Sequence, residues 1–152
     1  MPKQSAGLLI YRIHNKVLEV LLVHPGGPFW AKKDKEAWSI PKGEFTEEEN
    51  PLDAAIREVE EEIGLTGLSG FIELTPVKLK SGKVIHAWAT ESDFNSSDVV
   101  SNTFEMEWPP KSGVKQSFPE VDKAEWFSVE EAREKINPGQ MPLITELAKI
   151  IG

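Results

Sequence analysis

Residues 50–65 read NPLDAAIREVEEEIGL, and this stretch decides the fold. Asn50 is a good helix N-cap, Pro51 suits the first helical position, Asp53 sits where the dipole is positive, and Gly64 is placed to close the helix in the left-handed conformation. The spacing therefore predicts a helix over 51–63. Leu52, Ala55, Ile56, Val59 and Ile63 recur on one face and form the stripe that packs on a sheet. The polar remainder is unusual. Glutamates crowd the last two turns, where the negative end of the dipole opposes them and each like-charged pair one turn apart costs roughly 0.2–0.5 kcal/mol.

At about 100° per residue, Glu58 and Glu62 fall one turn apart on one flank of the stripe with Glu61 nearby, while Glu60 points to the opposite flank. Arg57 lies one turn before Glu61 and one turn after Asp53, placed to steer a carboxylate. An ordinary acidic helix is a solvated face. Here the acids flank the apolar stripe and oppose the dipole, a break of local rules that points to function. A divalent cation removes the conflict. With no cysteine in the chain and no histidine nearby, the donors suit a hard ion such as Mg²⁺ or Mn²⁺, which commonly shares phosphate oxygens of a substrate.

Residues 43–65, GEFTEEENPLDAAIREVEEEIGL, resemble the Nudix box: Gly43, Glu49, Arg57, Glu58, Val59, Glu61, Glu62, Gly64 and Leu65 fill every fixed position. The resemblance implies a single domain of α/β/α type with a mixed β-sheet and hydrolysis of a diphosphate linked to another group, X. It makes Glu58, Glu61 and Glu62 the expected metal ligands, with the Gly43 carbonyl a further one. Arg57 would orient a glutamate, and Glu49 would support the loop and helix or a second metal position. The general base is either Glu58 or Glu120, the latter from the loop in SFPEVDKAEWFS, where similar enzymes supply a further glutamate to metal or water.

Outside the box, the order of elements agrees with that fold. Two β-like runs, SAGLLIYRI and KVLEVLLVH, flank the turn-like HNK and predict antiparallel neighbours. PGGPFWAKKDK, residues 25–35, reads as an exposed functional loop. Further strands are expected at 71–74, 77–80, 83–91, 102–108 and 123–128, with helices near 129–136 and 143–151.

WSIPKGE, residues 38–44, resembles the Trp-x-x-Pro-Lys-Gly stretch that precedes the box in diadenosine polyphosphate and diphosphoinositol polyphosphate hydrolases, which places Lys42 at the mouth of the site as a phosphate ligand. Lys32, Lys33 and Lys35 could extend it. Of the five tryptophans, Trp30 and Trp108 fall in loop contexts where a ring could stack on a base, whereas Trp38, Trp88 and Trp126 read as core or sheet residues. His86 is a candidate pocket contact or a structural histidine.

The 152-residue chain, 39% hydrophobic and 28% charged, has the composition of a globular protein. Its net charge of -8 disfavours broad nucleic-acid binding, and the short apolar run near the N-terminus has neither the length of a membrane span nor the layout of a secretion signal. The absence of cysteine and of a leader favours a cytoplasmic location. The expected partner is a small phosphorylated metabolite, a dinucleoside polyphosphate ahead of a nucleoside triphosphate. Diphosphoinositol polyphosphates, RNA 5' ends and a nucleotide sensor without turnover stand as alternatives.

Overall fold

The computed structural model describes residues 4–151, so Met1, Pro2 and Lys3 of the N-terminal reading lie outside it. Strands β1 (Gln4–His14) and β2 (Val17–Pro25) pair antiparallel across Asn15 and Lys16, which turn the chain with φ of 51° and 66°. A short strand β3 (Lys42–Glu44) follows the loop and pairs with the start of β1, and helix α1 spans Pro51–Ile63, the bounds its caps predict. Then come β4 (Ile72–Glu73), β5 (Val77–Lys78), β6 (Val84–Glu91), β7 (Thr103–Glu107), β8 (Lys115–Pro119) and β9 (Val121–Ser128). Helices α2 (Val129–Lys135) and α3 (Met141–Ile151) close the order.

Strand β1 is central, parallel to β6 and antiparallel to β2, which in turn pairs antiparallel with β9. The sheet is therefore mixed. Its two faces bury different helices, as the period of a strand requires. Ala6, Leu8 and Ile10 of β1 share one core cluster with Ala54, Ala55, Val59 and Ile63 of α1, while Leu9 and Tyr11 belong to a second cluster that includes Leu143, Ile144 and Leu147 of α3. This gives three layers, α/β/α.

Trp38 is 1% exposed, holds Asp34 Oδ1 with its indole N–H at 2.8 Å, and meets the rings of His24 and Phe127 edge-on. Strands β7 and β8 form a separate two-stranded sheet. The sequence pattern does not anticipate β8, because KQSFP has no apolar alternation and becomes a strand only by pairing with β7. Among the described residues no helix is long and apolar enough to cross a membrane.

Candidate active site

Helix α1 is fixed at both ends by local chemistry. Asn50 Oδ1 accepts from the backbone N–H groups of Leu52 and Asp53 at 3.0 and 3.2 Å, and Gly64, at φ 77°, returns its N–H to the Glu60 carbonyl at 2.8 Å. No basic residue lies in the last turn. The neutralising cation is Arg57. Its Nη1 donates to Glu58 Oε1 at 2.9 Å and to both Glu61 oxygens at 3.3 Å, while Nε and Nη2 bond the Glu49 carboxylate at 3.1 Å. Glu60 is exposed, on the flank the helical angle assigns to it.

Arg57 thus pairs with Glu49, Glu58 and Glu61, and among the described residues no three acidic or imidazole side chains stand in ligating geometry. The expected convergence of Glu58, Glu61 and Glu62 thus appears as two pairings: Glu58 and Glu61 on the guanidinium, and Glu62 Oε2 on the Lys42 backbone N–H at 3.3 Å. A Cβ on Gly43 would stand 1.9 Å from Glu58 Oε2, so the Glu58 carboxylate occupies the space that a side chain at position 43 would take. The donor set is all oxygen and seated on a glycine backbone, and it fits a hard divalent cation.

Burial sets the charge balance. Glu62 is pushed up to about 8, chiefly by desolvation and also by Glu58 and Glu120, with Lys42 opposing. Glu58 is raised for the same leading reason, against the pull of Arg57. Lys42 is lowered, first by burial and next by the ammonium of Lys83, a neighbour that sequence spacing does not suggest.

The approach of β3 to α1 depends on distant residues. Gly7 lies opposite Lys42, and a Cβ there would meet the Pro41 carbonyl at 2.5 Å. Upstream, the buried Gln140 accepts from the Ile40 N–H at 3.0 Å and bonds Ser39 Oγ through its amide nitrogen at 3.0 Å. Nothing in the sequence around Gln140 marks it as a support of Lys42.

Glu120 reaches the site through a backbone relay. The Asn102 N–H donates to the Glu61 carbonyl at 3.0 Å and its carbonyl accepts from the Glu120 N–H at 2.8 Å, so one residue ties the helix end to the strand that leads into β9. Glu120, Lys42 and Glu62 then line one cavity of about 140 Å³ with Val23, Pro25 and Ile40. A second cavity of about 340 Å³ adjoins it and is lined in part by Trp30 and again by Glu120.

Three of the expected substrate contacts stand elsewhere. Lys32 is exposed and lines neither cavity. His86 bonds Gln4 Oε1 through Nε2 at 2.7 Å and meets the Phe45 ring edge-on, which is the structural alternative. Trp108 follows β7 at the tip of its hairpin and lines neither cavity, because the pairing of β7 with β8 carries it outward. Conversely, His24 has a pairing the sequence hides: Nδ1 faces both Asp122 oxygens at 3.0 and 3.2 Å and Nε2 faces the Lys33 carbonyl. That contact holds the 25–35 loop to β9. Asp34 anchors the same loop through Trp38 and Lys135.

With a mixed sheet between α1 and α3 and an acidic helix end set against a Gly-Glu strand, the class is that of a three-layer α/β/α fold with a carboxylate-rich site at one helix end. The model described as NUDIX domain matches residues 1–147, and the chain belongs to that family. Mouse bis(5'-nucleosyl)-tetraphosphatase [asymmetrical] is 33% identical over 108 residues, 62% of this chain and 69% of that protein. The m7GpppN-mRNA hydrolase of Saccharomyces cerevisiae is 32% identical over 99 residues, but the match spans only 8% of its length. The Caenorhabditis elegans Ap4A hydrolase structure shares the fold over 100% of both chains, with a TM-score of 0.65 at 21% identity.

Proposed function

We propose that the protein is a metal-dependent pyrophosphohydrolase that splits the diphosphate linkage of a nucleoside diphosphate bonded to X, with dinucleoside polyphosphates ahead of nucleoside triphosphates. The observation that carries this reading is the meeting of Lys42, Glu62 and Glu120 around one cavity at the end of the box helix. The similarity to the asymmetrical tetraphosphatase supports the choice of substrate.

Glu58, Glu61, Glu62 and the Gly43 carbonyl would hold Mg²⁺ or Mn²⁺, with Glu120 a further ligand. Such an ion supplies charge neutralisation at the phosphate oxygens and acidifies water. The protein supplies the rest. Lys42 binds a phosphate oxygen as a compact charge, held in place by the strand that Gln140 anchors. Arg57 orients Glu58 and Glu61 and keeps their mutual repulsion in check. Glu120, or Glu58 in its place, takes the proton from the water that attacks phosphorus, and the departing phosphate leaves with the bridging oxygen.

Product analysis by ion-exchange chromatography tests this, with Mg²⁺ or Mn²⁺ and a panel of dinucleoside polyphosphates, nucleoside triphosphates, diphosphoinositols and capped or triphosphorylated RNA 5' ends, run beside Glu62→Gln. Metal-dependent cleavage of one class by the wild type and near silence of the variant is the expected result. Tight binding of a panel member with no cleavage by either protein overturns it in favour of a sensor.

A further inference from the structure

The stretch VSN, residues 100–102, holds none of the side chains assigned to the carboxylate chemistry, and its composition marks no site. The fold nevertheless threads it between the end of α1 and the start of β9. The last turn of a helix leaves four carbonyls without partners along the helix. In α1 the Glu60 carbonyl takes the Gly64 N–H at 2.8 Å, while the Glu61 and Ile63 carbonyls accept from Asn102 and Val100 at 3.0 and 3.2 Å. The approach is close, since a Cβ on Gly64 would stand 3.3 Å from that of Val100. Residues 100–102 therefore finish the helix that carries Glu58, Glu61 and Glu62.

The same three residues hold Glu120 from the other side. The Asn102 carbonyl accepts from the Glu120 N–H at 2.8 Å, and Ser101 Oγ accepts from the Val121 N–H at 3.0 Å. Ser101 also donates its hydroxyl proton to the Asn102 carbonyl at 2.8 Å, which a hydroxyl can do while it accepts. In a regular strand successive N–H groups point to opposite edges, yet those of Glu120 and Val121 both point at residues 101–102. The pairing of β2 with β9 slips at the same place: His24 faces Lys123 and Pro25 faces Val121, so Asp122 is an extra residue in β9. Such a bulge bends a strand and re-aims a side chain.

Here the re-aimed side chain is that of Glu120, which lines the cavity with Lys42 and Glu62 and also the one with Phe104 and Met106. Its carboxylate makes no hydrogen bond or ion pair among the described residues. The backbone on either side thus sets its direction, through the Gly26 N–H on the Glu120 carbonyl at 2.9 Å and the 101–102 pair on the N–H side.

Resting on the pyrophosphohydrolase reading, we infer that Ser101 is a positioning residue: its hydroxyl fixes the bulge that aims the Glu120 carboxylate at the cation site and ties it to the helix bearing the other ligands. Val121 is 4% exposed, so without the hydroxyl its N–H is left without a partner at a buried place. The strand start then shifts to satisfy that N–H and turns Glu120 away from the cavity. Asn102 contributes backbone bonds, which a substitution of its side chain leaves in place. The side-chain part of the clamp is Ser101.

Manganese titration by calorimetry and steady-state hydrolysis test the assignment, each in wild type, Ser101→Ala, Ser101→Thr, Glu120→Gln and the Ser101→Ala, Glu120→Gln double variant. Ser101→Ala is expected to weaken manganese binding and lower kcat about 10- to 100-fold, with KM changed less than about threefold. Ser101→Thr, which keeps the hydroxyl, restores both. In the Glu120→Gln background the alanine adds nothing, because the carboxylate it aimed is gone. A hydroxyl that only stabilised the fold would lower the urea midpoint and leave manganese affinity intact. Unchanged manganese affinity in Ser101→Ala, equal losses with and without Glu120, or no effect of Glu120→Gln itself each overturn the inference. The two readings fail separately: a wild type that cleaves nothing in the panel sinks the hydrolase and leaves the manganese titrations to decide on Ser101, whereas cleavage by a protein whose manganese affinity ignores Ser101 does the reverse.

Discussion

The carboxylates of α1 and the aromatic cavity beside them touch through Glu120, yet they are assembled in opposite ways. Glu58, Glu61 and Glu62 belong to one helix whose spacing places them near each other before any tertiary contact forms. Phe29 and Trp30 meet Phe104 and Met106 only because a separate hairpin folds over a glycine-rich loop. On the proposed function the chemistry belongs to a locally determined element, whereas the cavity beside it is assembled by non-local contacts. A charge change on the helix should abolish reaction without harming the fold, and a change in the cavity walls should alter which substrate reacts.

The largest effect that would sharpen this contrast is in Glu62→Gln. Removing a carboxylate from the cation site costs several kcal/mol of transition-state stabilisation, so hydrolysis should fall by more than about 10³-fold, read as kcat/KM on the substrate found in the panel. A loss of less than tenfold breaks the assignment of α1 to the chemistry.

The same residue gives a pH signature in metal-free protein. Glu62 releases its proton at about 8 when folded and at 4.5 in its ordinary state, so between those values the folded state holds a proton that the unfolded chain has lost. Stability contributed by the protonated form is therefore full at low pH and declines as pH rises from 4.5 to about 8. Urea midpoints in EDTA should show that decline, and Glu62→Gln should flatten it. Metal affinity has the opposite sign, rising with pH over the same window because the ion requires the carboxylate.

Arg57→Lys should lower metal affinity and activity about 10- to 100-fold, because a single ammonium cannot reproduce the guanidinium's bonds to Glu49, Glu58 and Glu61. Manganese titration by calorimetry reads it, and unchanged affinity would detach Arg57 from the site. Gln140→Leu leaves the Ile40 N–H unpaired and should destabilise the protein by about 1–3 kcal/mol while raising KM through Lys42. Smallest is Asn50→Ala, which removes the N-cap at about 1 kcal/mol and leaves kcat almost unchanged, as a purely structural part of the same helix should.

How much was legible in the sequence follows the same division. The bounds of α1, its apolar stripe and the exposure of Glu60 agree with the reading, because caps and helical angles act over three or four residues. Ala54 is also buried, one residue wider than the predicted stripe. Trp38 is core as its strand-like context suggests, and Glu120 lines one cavity with Lys42 and Glu62. Trp108 and Lys32 line neither cavity, since a tryptophan or lysine in a loop has no local signal for the direction in which a hairpin or a turn will carry it. Phe104 and Met106, which do line the cavity, carry no sign in the sequence beyond their place in the strand expected at 102–108.

The sequence by itself determined an α/β chain with an acidic helix of defined length, its caps, and the antiparallel pairing of the first two apolar runs. These follow from hydrogen bonds and side-chain periods that close within a few residues. Only the tertiary structure decided that Arg57 bridges three carboxylates, that Gln140 anchors the strand bearing Lys42, and that Asn102 carries Glu120 to the helix end. Those partners are remote along the chain, and their meeting is fixed by the pairing of strands and the packing of layers, which no local pattern encodes.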